Sequence, residues 1–192
     1  MNSDQEQELV EQAKQHPEAL AELYDRYFPR LYAYIRARTE QRQDAEDIVA
    51  ETFVRVLAGL PHFQWRHNTS FAAWVFRIAH NLVSNFHRDR QRSGYTLALH
   101  ILPEMQTSEC TPDEALLHKE TEHQLHQRLA VLSPRRREVI TLKFFGALRN
   151  VEIASILDLD ERTVATHLGR GIADLRRQYA EEISKSVSGD LL

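Results

Sequence analysis

The sequence has few cysteines, glycines and prolines. The shortage of cysteine excludes disulfide-stabilised proteins, and the shortage of glycine and proline favours helices. The single cysteine, Cys110, excludes an internal disulfide and is typical of proteins in a reducing compartment. Six glycines and six prolines in 192 residues leave long stretches in which helices can form. No apolar run reaches the length of a membrane span, and the polar N-terminal stretch lacks the apolar segment of a secretory signal. We therefore expect a cytoplasmic protein.

The sequence also lacks the alternating pattern of β-strands and any internal repeat. Its apolar residues recur instead at every third or fourth position, which predicts an all-α fold. Helices are predicted over residues 18–39, 44–57, 71–92 and 134–145, and over 112–131 after the capping box Thr111–Glu114. We expect Pro29 to break or kink the first of these helices, Asp44 to cap the second, and Ser70 to cap the third.

Residues 150–177, NVEIASILDLDERTVATHLGRGIADLRR, show the pattern of a helix-turn-helix. Asn150 is predicted to cap the first helix, residues 158–160 to form the turn, and Asp160 to cap the second helix. Along the second helix, Val164, Leu168, Ile172 and Leu175 form one buried stripe, and Arg162, Thr163, Thr166, His167 and Arg170 lie on the other face. The alternative is an ordinary helical hairpin whose polar face is only solvated.

The net charge of −4 argues against non-specific binding of nucleic acid by the whole protein surface, but the charge is unevenly distributed along the sequence. Residues 93–132 contain two basic and six acidic side chains, whereas residues 133–177 contain nine basic and six acidic ones. This asymmetry indicates a nucleic-acid-binding face in the C-terminal part that is masked or assisted by another component.

Two further segments have the composition of binding surfaces. Asp44, Asp47 and Glu51 share one helix face, which is either a solvated acidic face or a docking surface for a basic partner. The loop over residues 62–70 is followed by a helix whose outer face is basic and amide-rich, a combination typical of single-strand binding. The predicted single-strand-binding residues are Trp65, Asn68, Arg77, Asn81, Ser84, Asn85 and Arg88, of which Trp65 is equally compatible with a core position.

A cluster of Cys110, His118, His123 and His126 raises the possibility of a metal-dependent enzyme. However, the sequence has no pair of cysteines and no HExxH motif, and the spacing is not that of a known zinc finger. We therefore predict no metal, no cofactor and no catalytic residue. The metal content of the purified protein would distinguish the two interpretations.

Three stretches together resemble the extracytoplasmic-function sigma factors, the smallest sigma-70-type initiation subunits of bacterial RNA polymerase. DAEDIVAETFVRVL, at residues 44–57, is similar to the segment that docks on the polymerase clamp. FAAWVFRIAHNLVSNFHRDR, at residues 71–90, is similar to the promoter-melting and minus-10 helix. Residues 132–177 resemble the domain that reads the minus-35 element.

The resemblance implies two small helical domains, at residues 1–92 and 112–180, joined by a flexible linker at 93–111 and followed by a tail at 181–192. It implies that the acidic face binds the beta-prime clamp, that Asn81 and Asn85 contact the displaced DNA strand, and that Thr166 and Arg170 enter the minus-35 major groove. The implied partners are core RNA polymerase, through its beta-prime clamp and beta flap, promoter DNA and an anti-sigma factor.

The function predicted from this resemblance is that of an alternative sigma factor, which is not an enzyme. It would bind core polymerase, recognise the minus-35 and minus-10 elements and nucleate promoter opening. The alternative is a stand-alone helix-turn-helix regulator. Such a regulator would leave residues 44–92 without a role, and the sequence shows no coiled-coil heptads for the dimer that such regulators commonly form.

Overall fold

The computed structural model describes residues 3–65, 70–92, 120–121 and 124–189, and within these ranges every regular element is a helix. The all-α prediction is thus confirmed. The elements are α1 (Ser3–Ala13), α2 (Pro17–Arg36), α3 (Arg42–Gly59), a 3₁₀ turn (Leu60–His62), α4 (Phe71–Arg92), α5 (124–130), α6 (Pro134–Phe144), α7 (Asn150–Leu157) and α8 (Glu161–Gly189). Among the described helices, none is long and apolar enough to cross a membrane. The predicted linker and the capping box at Thr111 lie outside the described residues.

Helix α2 is the centre of the N-terminal half. Its apolar side chains repeat every three to four residues, so Leu23, Tyr27, Leu31 and Ile35 lie on one fully buried face. Helices α1, α3 and α4 all pack against it. The resulting core fixes α3 and α4, which carry two of the predicted binding surfaces.

Of the predicted break or kink at Pro29, the break is wrong, because α2 continues through this residue to Arg36, whereas the kink stays a prediction. Proline lacks the N–H that would otherwise bond to the carbonyl of Asp25, four residues earlier. Both residues are exposed, so water can satisfy this carbonyl. The buried Tyr27 and Leu31 on either side of Pro29 hold the helix against the core.

Two predicted N-caps are confirmed by their hydrogen bonds. The hydroxyl of Ser70 accepts a bond from the backbone N–H of Ala73 at 3.1 Å, at the start of α4. The carboxylate of Asp160 accepts a bond from the N–H of Thr163 at 2.7 Å, at the start of α8. Each cap satisfies an N–H that has no partner within its own helix.

Two other predicted N-caps are wrong by one to three residues. Helix α3 is preceded by Gln41 and begins before Asp44, whose carboxylate instead lies 3.4 Å from Arg90 on α4. Helix α7 is preceded by Arg149, so Asn150 is its first helical residue. The Arg149 N–H bonds to the carboxylate of Glu152 at 2.7 Å, which satisfies that end of α7 without the Asn150 side chain.

Helices α7 and α8 form the predicted helix-turn-helix. Asp158 ends α7 in the left-handed conformation, with φ 54° and ψ 52°, which aspartate tolerates better than most residues. Val164 on α8 is fully buried, and the rest of the predicted stripe, Leu168, Ile172 and Leu175, packs partly buried on the core. Helix α8 continues to Gly189, through most of residues 181–192, which the sequence analysis assigns to a tail.

The two halves share one hydrophobic core. Helix α7 packs against α4, and Leu148 and Ile153 from the C-terminal half join the same buried cluster as the N-terminal helices. The apolar stripe that the sequence predicts for the inner face of α4 consists of Phe71, Trp74, Val75, Ile78, Leu82 and Phe86. Phe76 and Val83 lie outside this stripe and are nevertheless completely buried. Helix α4 is therefore covered on two sides.

Two glycines in α8 provide a test of this packing. A Cβ at Gly171 would lie 2.9 Å from Cγ1 of Ile140 on α6, whereas a Cβ at Gly169 would meet no atom within 4 Å. We expect Gly171→Ala to destabilise the protein by about 1–3 kcal/mol through overpacking. Gly169→Ala, the matched control, should stabilise it by about 0.5–1 kcal/mol through helix propensity. Urea denaturation measures both, and equal effects of the two changes would contradict this packing of α6 on α8.

Candidate nucleic-acid and protein interfaces

The outer face of α3 is acidic at its centre. Asp47 and Glu51 are both exposed, one helical turn apart. Glu51 forms an ion pair with Arg55 at 2.7 Å, whereas Asp47 has no ion pair within the described part of the chain. Val54, which continues this face by three residues, is 59% exposed. The face thus combines carboxylates with an exposed apolar side chain, a combination suited to a basic and partly apolar partner.

Asp44 lies at the edge of this face and is held by α4. Its carboxylate is 3.4 Å from Arg90, which is also 3.1 Å from the carboxylate of Glu40. Burial raises the pKa of Asp44 above its usual range, and the positive charge of Arg90 offsets part of that rise. Of the three predicted docking residues, Asp47 and Glu51 are thus presented outward, and Asp44 joins α3 to α4.

An apolar groove between α2 and α3 was not expected from the sequence. It has a volume of about 350 Å³, and its lining includes Leu20, Tyr24, Phe53 and Leu57. The helical spacing of apolar side chains predicts that Tyr24 and Leu57 lie on the buried faces of their helices, but they are 43% and 45% exposed. The ring of Tyr24 instead packs against Phe53 in a tilted arrangement, at a centroid distance of 4.5 Å, at the rim of the groove.

The polar face of α4 carries the side chains predicted to bind a single strand. Asn81 is exposed, and Ser84 and Asn85 are half-buried beside it. The guanidinium of Arg88 donates to the amide oxygen of Asn85 at 2.6 Å, so this amide is already oriented. Arg77 lies at the other end of the face and donates to the Ser155 hydroxyl, on α7, at 2.7 Å.

The aromatic residues just before α4 and in its first turn form a packed cluster. Trp65 meets Phe63 edge-on at 5.4 Å and is half-buried, and its Nε1 is buried without a hydrogen-bond partner in the described structure. Phe71 is fully buried and Trp74 packs on it at 5.5 Å, as expected of core residues. Asn68 lies outside the described residues. Trp65 therefore packs at the edge of the core, and its role in binding stays a prediction.

The start of α8 presents a basic and polar ridge. Arg162, Thr166 and Arg170 follow one another at intervals of four and are all exposed. The Thr166 hydroxyl donates to the carbonyl of Arg162 at 2.9 Å, which leaves its lone pairs outward. Arg170 forms no ion pair with any described residue, so its guanidinium is available to a ligand.

Thr163 and His167 flank this ridge. The Thr163 hydroxyl donates to the carboxylate of Asp160 at 2.6 Å and thus belongs to the cap of α8. His167 is half-buried, and its Nδ1 is buried without a partner in the described part of the chain. The structure therefore brings all five predicted residues of α8 to one end of the helix, three outward and two at its flank.

No group of three metal-ligating side chains occurs among the described residues. Of the predicted metal cluster, His126 is described, and its Nε2 lies 2.8 Å from the carbonyl oxygen of Arg36. Cys110, His118 and His123 lie outside the described residues. His126 is thus used in a contact between α5 and the end of α2.

Two family models match the chain in the order of these surfaces. Sigma-70 region 2 matches residues 23–93, and Sigma-70, region 4 matches residues 122–175. The chain belongs to the extracytoplasmic-function branch of the sigma-70 family. The region 2 match contains the acidic face of α3 and the polar face of α4, and the region 4 match contains the ridge on α8. Proteins of this family are not enzymes in the catalytic sense.

The sigma factor is similar to several curated relatives. It is 29% identical to the ECF RNA polymerase sigma factor BldN of Streptomyces coelicolor. The matched region covers 91% of this chain and 66% of that protein. It is 28% identical to the ECF RNA polymerase sigma factor SigW of Bacillus subtilis, over 85% of this chain and 90% of that protein. The family relationship thus extends over both halves of the sigma factor.

Two solved structures share the fold of the sigma factor. CnrH, in complex with the cytosolic domain of CnrY, superposes with a TM-score of 0.69 at 23% identity, over 92% of this chain and 97% of CnrH. The sigma factor RpoE of Bartonella quintana, in complex with the anti-sigma factor NepR, gives a TM-score of 0.61 at 20% identity, over 82% and 94%.

Proposed function

We propose that this sigma factor is a promoter-specificity subunit that binds core RNA polymerase, recognises minus-35 and minus-10 elements and nucleates promoter opening. One observation carries this proposal. A single chain with region 2 and region 4 matches presents an acidic docking face, a polar helix face and a basic ridge as three separate surfaces. A stand-alone helix-turn-helix regulator needs only the last of these.

The acidic face of α3 is suited to docking on the beta-prime clamp. Asp47 and Glu51 offer two exposed carboxylates, and Val54 adds apolar area beside them. Charged groups of this kind accelerate association and fix the relative orientation of the two proteins. Burial of the apolar side chain adds favourable binding free energy. The region 4 half would contact the beta flap, so polymerase would hold both halves at the separation of the promoter elements.

The polar face of α4 is suited to the displaced strand of the minus-10 element. Flipping a base from the stack costs a few kcal/mol, which stacking and hydrogen bonds in a pocket must offset. Asn81 and Asn85 offer amides to exposed base edges, and Ser84 lies between them. Arg77 and Arg88 supply phosphate contacts, which position a strand without specifying its sequence. Trp65 and Asn68 belong to the preceding loop, where we place the flipped base.

The ridge on α8 is suited to the major groove of the minus-35 element. A guanidinium can donate two hydrogen bonds to guanine O6 and N7, worth about 1–3 kcal/mol of discrimination. Arg170 is exposed and lacks an ion pair among the described residues, as this role requires. Arg162, Thr163, Thr166 and His167 complete the surface, with Arg162 in a position to contact phosphate.

We further propose that the sigma factor acts in the cytoplasm and is held inactive by an anti-sigma factor. The relatives are named as RNA polymerase sigma factors, and RpoE, which shares the fold, was solved with the anti-sigma factor NepR. An anti-sigma factor that covers the acidic face of α3 would compete directly with polymerase.

Run-off transcription with purified core polymerase tests the proposed function. Genomic DNA fragments serve as templates, and reactions without the sigma factor serve as the control. We expect discrete transcripts that depend on the sigma factor and start downstream of one shared pair of elements. DNA binding without any dependent transcript would support the stand-alone regulator instead.

Replacing Arg170 tests the minus-35 assignment. We expect Arg170→Ala to lose discrimination at one or two guanines of the upstream element by about 1–3 kcal/mol. Competition binding of the holoenzyme with templates substituted at single positions measures the loss.

Arg176→Ala is the matched control, since Arg176 is an exposed arginine on the same helix, six residues further on. It removes the same charge and should weaken binding to all templates uniformly. An unchanged sequence preference in Arg170→Ala would show that this side chain does not read bases.

A further inference from the structure

Helix α1 lies before the residues that match Sigma-70 region 2, which begin at residue 23. It is nevertheless firmly packed. Val10 is completely buried and Leu9 and Ala13 are nearly so, all in the same core as the buried faces of α2 and α4. Helix α1 packs on α2 and also contacts α4. The family match therefore leaves open what this well-ordered helix contributes.

Lys14, the residue that follows α1, contacts the loop over residues 62–70. Its Nζ donates to the carbonyl oxygen of Phe63 at 3.0 Å and to the carboxylate of Glu11 at 2.8 Å. The Lys14 side chain is only 19% exposed, so protein covers most of its aliphatic stem. Hydrogen bonds from a charged donor are roughly twice as strong as neutral ones, and low exposure strengthens them further. This bond thus joins the end of α1 to a residue 49 positions later.

The bonded carbonyl belongs to the peptide group after Phe63, on the path to Trp65. Because a peptide group is planar, a fixed carbonyl oxygen fixes the direction in which the chain continues. The ring of Phe63 is held as well, since it meets Trp65 edge-on at 5.4 Å and Phe71 at 5.3 Å. Trp65 is therefore positioned by the backbone that Lys14 holds and by the ring of Phe63.

Helix α1 also supports the other end of this loop, through Tyr27 on α2. The Tyr27 hydroxyl donates to the carboxylate of Glu6 on α1. Burial raises the pKa of Tyr27 and the Glu6 carboxylate raises it further, so the hydroxyl keeps its proton and stays a donor. The ring of Tyr27 meets Phe71, the first residue of α4, edge-on at 5.3 Å. The contacts of α1 thus reach both the entry and the exit of the loop.

We propose that Lys14 is a positioning residue for recognition of the minus-10 element, because it sets the path of the loop that holds the flipped base. The proposal rests on the proposed function, which places that base in this loop beside Trp65. A recognition site must be held within about 0.5 Å of its productive geometry. Lys14 contacts no DNA in this arrangement and acts through the Phe63 carbonyl. Its effect should therefore be confined to selection of the flipped base.

Lys14→Met tests this proposal, because methionine keeps an apolar stem and removes the donor. Holoenzyme is assembled from the full-length sigma factor and core polymerase. A labelled single-stranded minus-10 oligonucleotide, from a promoter found by run-off transcription, competes with unlabelled oligonucleotides substituted at single positions. We expect Lys14→Met to lose about 5-fold or more of the discrimination at one position, the lower end of typical coupling between two sites. Discrimination at the other positions should persist.

Three further variants control this experiment. Lys14→Arg can still donate to the Phe63 carbonyl and should retain the discrimination. Glu11→Gln, the matched control, removes the ion pair with Lys14 but leaves the bond to Phe63, so it should behave like the parent protein. Lys14→Ala covers the case in which Lys14→Met does not fold. Circular dichroism checks the folding of each variant.

The fluorescence of Trp65 gives a readout that needs no DNA. The chain contains two tryptophans, so Trp65 is the only emitter in a Trp74→Phe background. In this background we expect Lys14→Met to shift the emission to longer wavelength and to increase quenching by acrylamide, because Trp65 loses its fixed place at the edge of the core. Lys14→Arg should leave both properties unchanged.

Unchanged discrimination at every position, in folded Lys14→Met and Lys14→Ala alike, would overturn the proposal. An equal loss at all positions, or weaker binding to polymerase, would also overturn it, since Lys14 would then only stabilise the fold. Unchanged Trp65 emission would show that Lys14 does not position the loop. Failure of the proposed function would appear separately, because the parent protein would then give no dependent run-off transcripts.

Discussion

Asp47→Arg combined with Glu51→Arg is expected to abolish binding of the sigma factor to core RNA polymerase. Both side chains are exposed on α3 and contribute no buried contact to the core, so the fold should persist. The double reversal changes the charge of the docking face by four units, and juxtaposed like charges at an interface cost several kcal/mol. Co-purification with tagged core polymerase measures the loss, and circular dichroism confirms the helix content.

Asp4→Arg combined with Glu8→Arg is the matched control for this experiment. These two exposed acids lie on α1 at the same spacing of four, so the variant carries the same change in net charge elsewhere on the surface. It should retain polymerase binding. Undiminished binding by the folded α3 variant would remove the acidic face from the docking surface.

Local signals in the sequence predict the helices and several of their ends. The apolar period of α2 and α4 is strong enough to identify both helices, because each buries a continuous face. Ser70 and Asp160 are correctly predicted as caps, since each accepts a bond from an N–H only three residues away in the sequence. The left-handed conformation of Asp158 is likewise predictable, because it depends on the backbone preference of aspartate itself. Features decided within one or two turns of helix are thus accessible from the sequence.

Contacts between residues that are far apart in the sequence cannot be predicted from these local signals. Asp44 carries the signal of an N-cap, but Arg90, 46 residues later, attracts its carboxylate instead. Phe76 and Val83 lie off the predicted inner stripe and are buried because the C-terminal half covers that side of α4. Tyr24 and Leu57 fit the apolar period but remain exposed at a groove that no described residue fills. Periodicity identifies an apolar face and leaves open which part of it is covered.

The same distinction applies to the candidate surfaces. The helical spacing of Asp47 with Glu51, and of Arg162 with Arg170, predicts their shared faces directly. The contact of Arg77 with Ser155 could not be predicted, because it joins residues 78 positions apart and depends on how the halves pack. The sequence thus indicates what each surface is made of, and the structure adds which surfaces meet.

Asn81→Ala combined with Asn85→Ala is expected to abolish open-complex formation while sparing polymerase binding and the closed complex. The two amides lie one turn apart on the polar face of α4, Asn81 exposed and Asn85 oriented by Arg88. They would contact bases only after the strands separate. Their loss should therefore remove hydrogen bonds that offset the free-energy cost of unstacking the bases. Neither lies in the core, and stability should change by no more than about 0.5 kcal/mol. Permanganate reactivity of thymines near the start site measures opening.

Gln12→Ala combined with Gln15→Ala removes two exposed amides at the end of α1, away from this face, and should open promoters normally. A template with a pre-melted bubble provides the second control, because it removes the cost of strand separation. On this template the Asn81 and Asn85 variant should recover part of its transcription, whereas a variant defective in polymerase docking should not. Normal permanganate reactivity of the variant on duplex DNA would exclude α4 from strand opening, and the ridge on α8 would then act as in a stand-alone regulator.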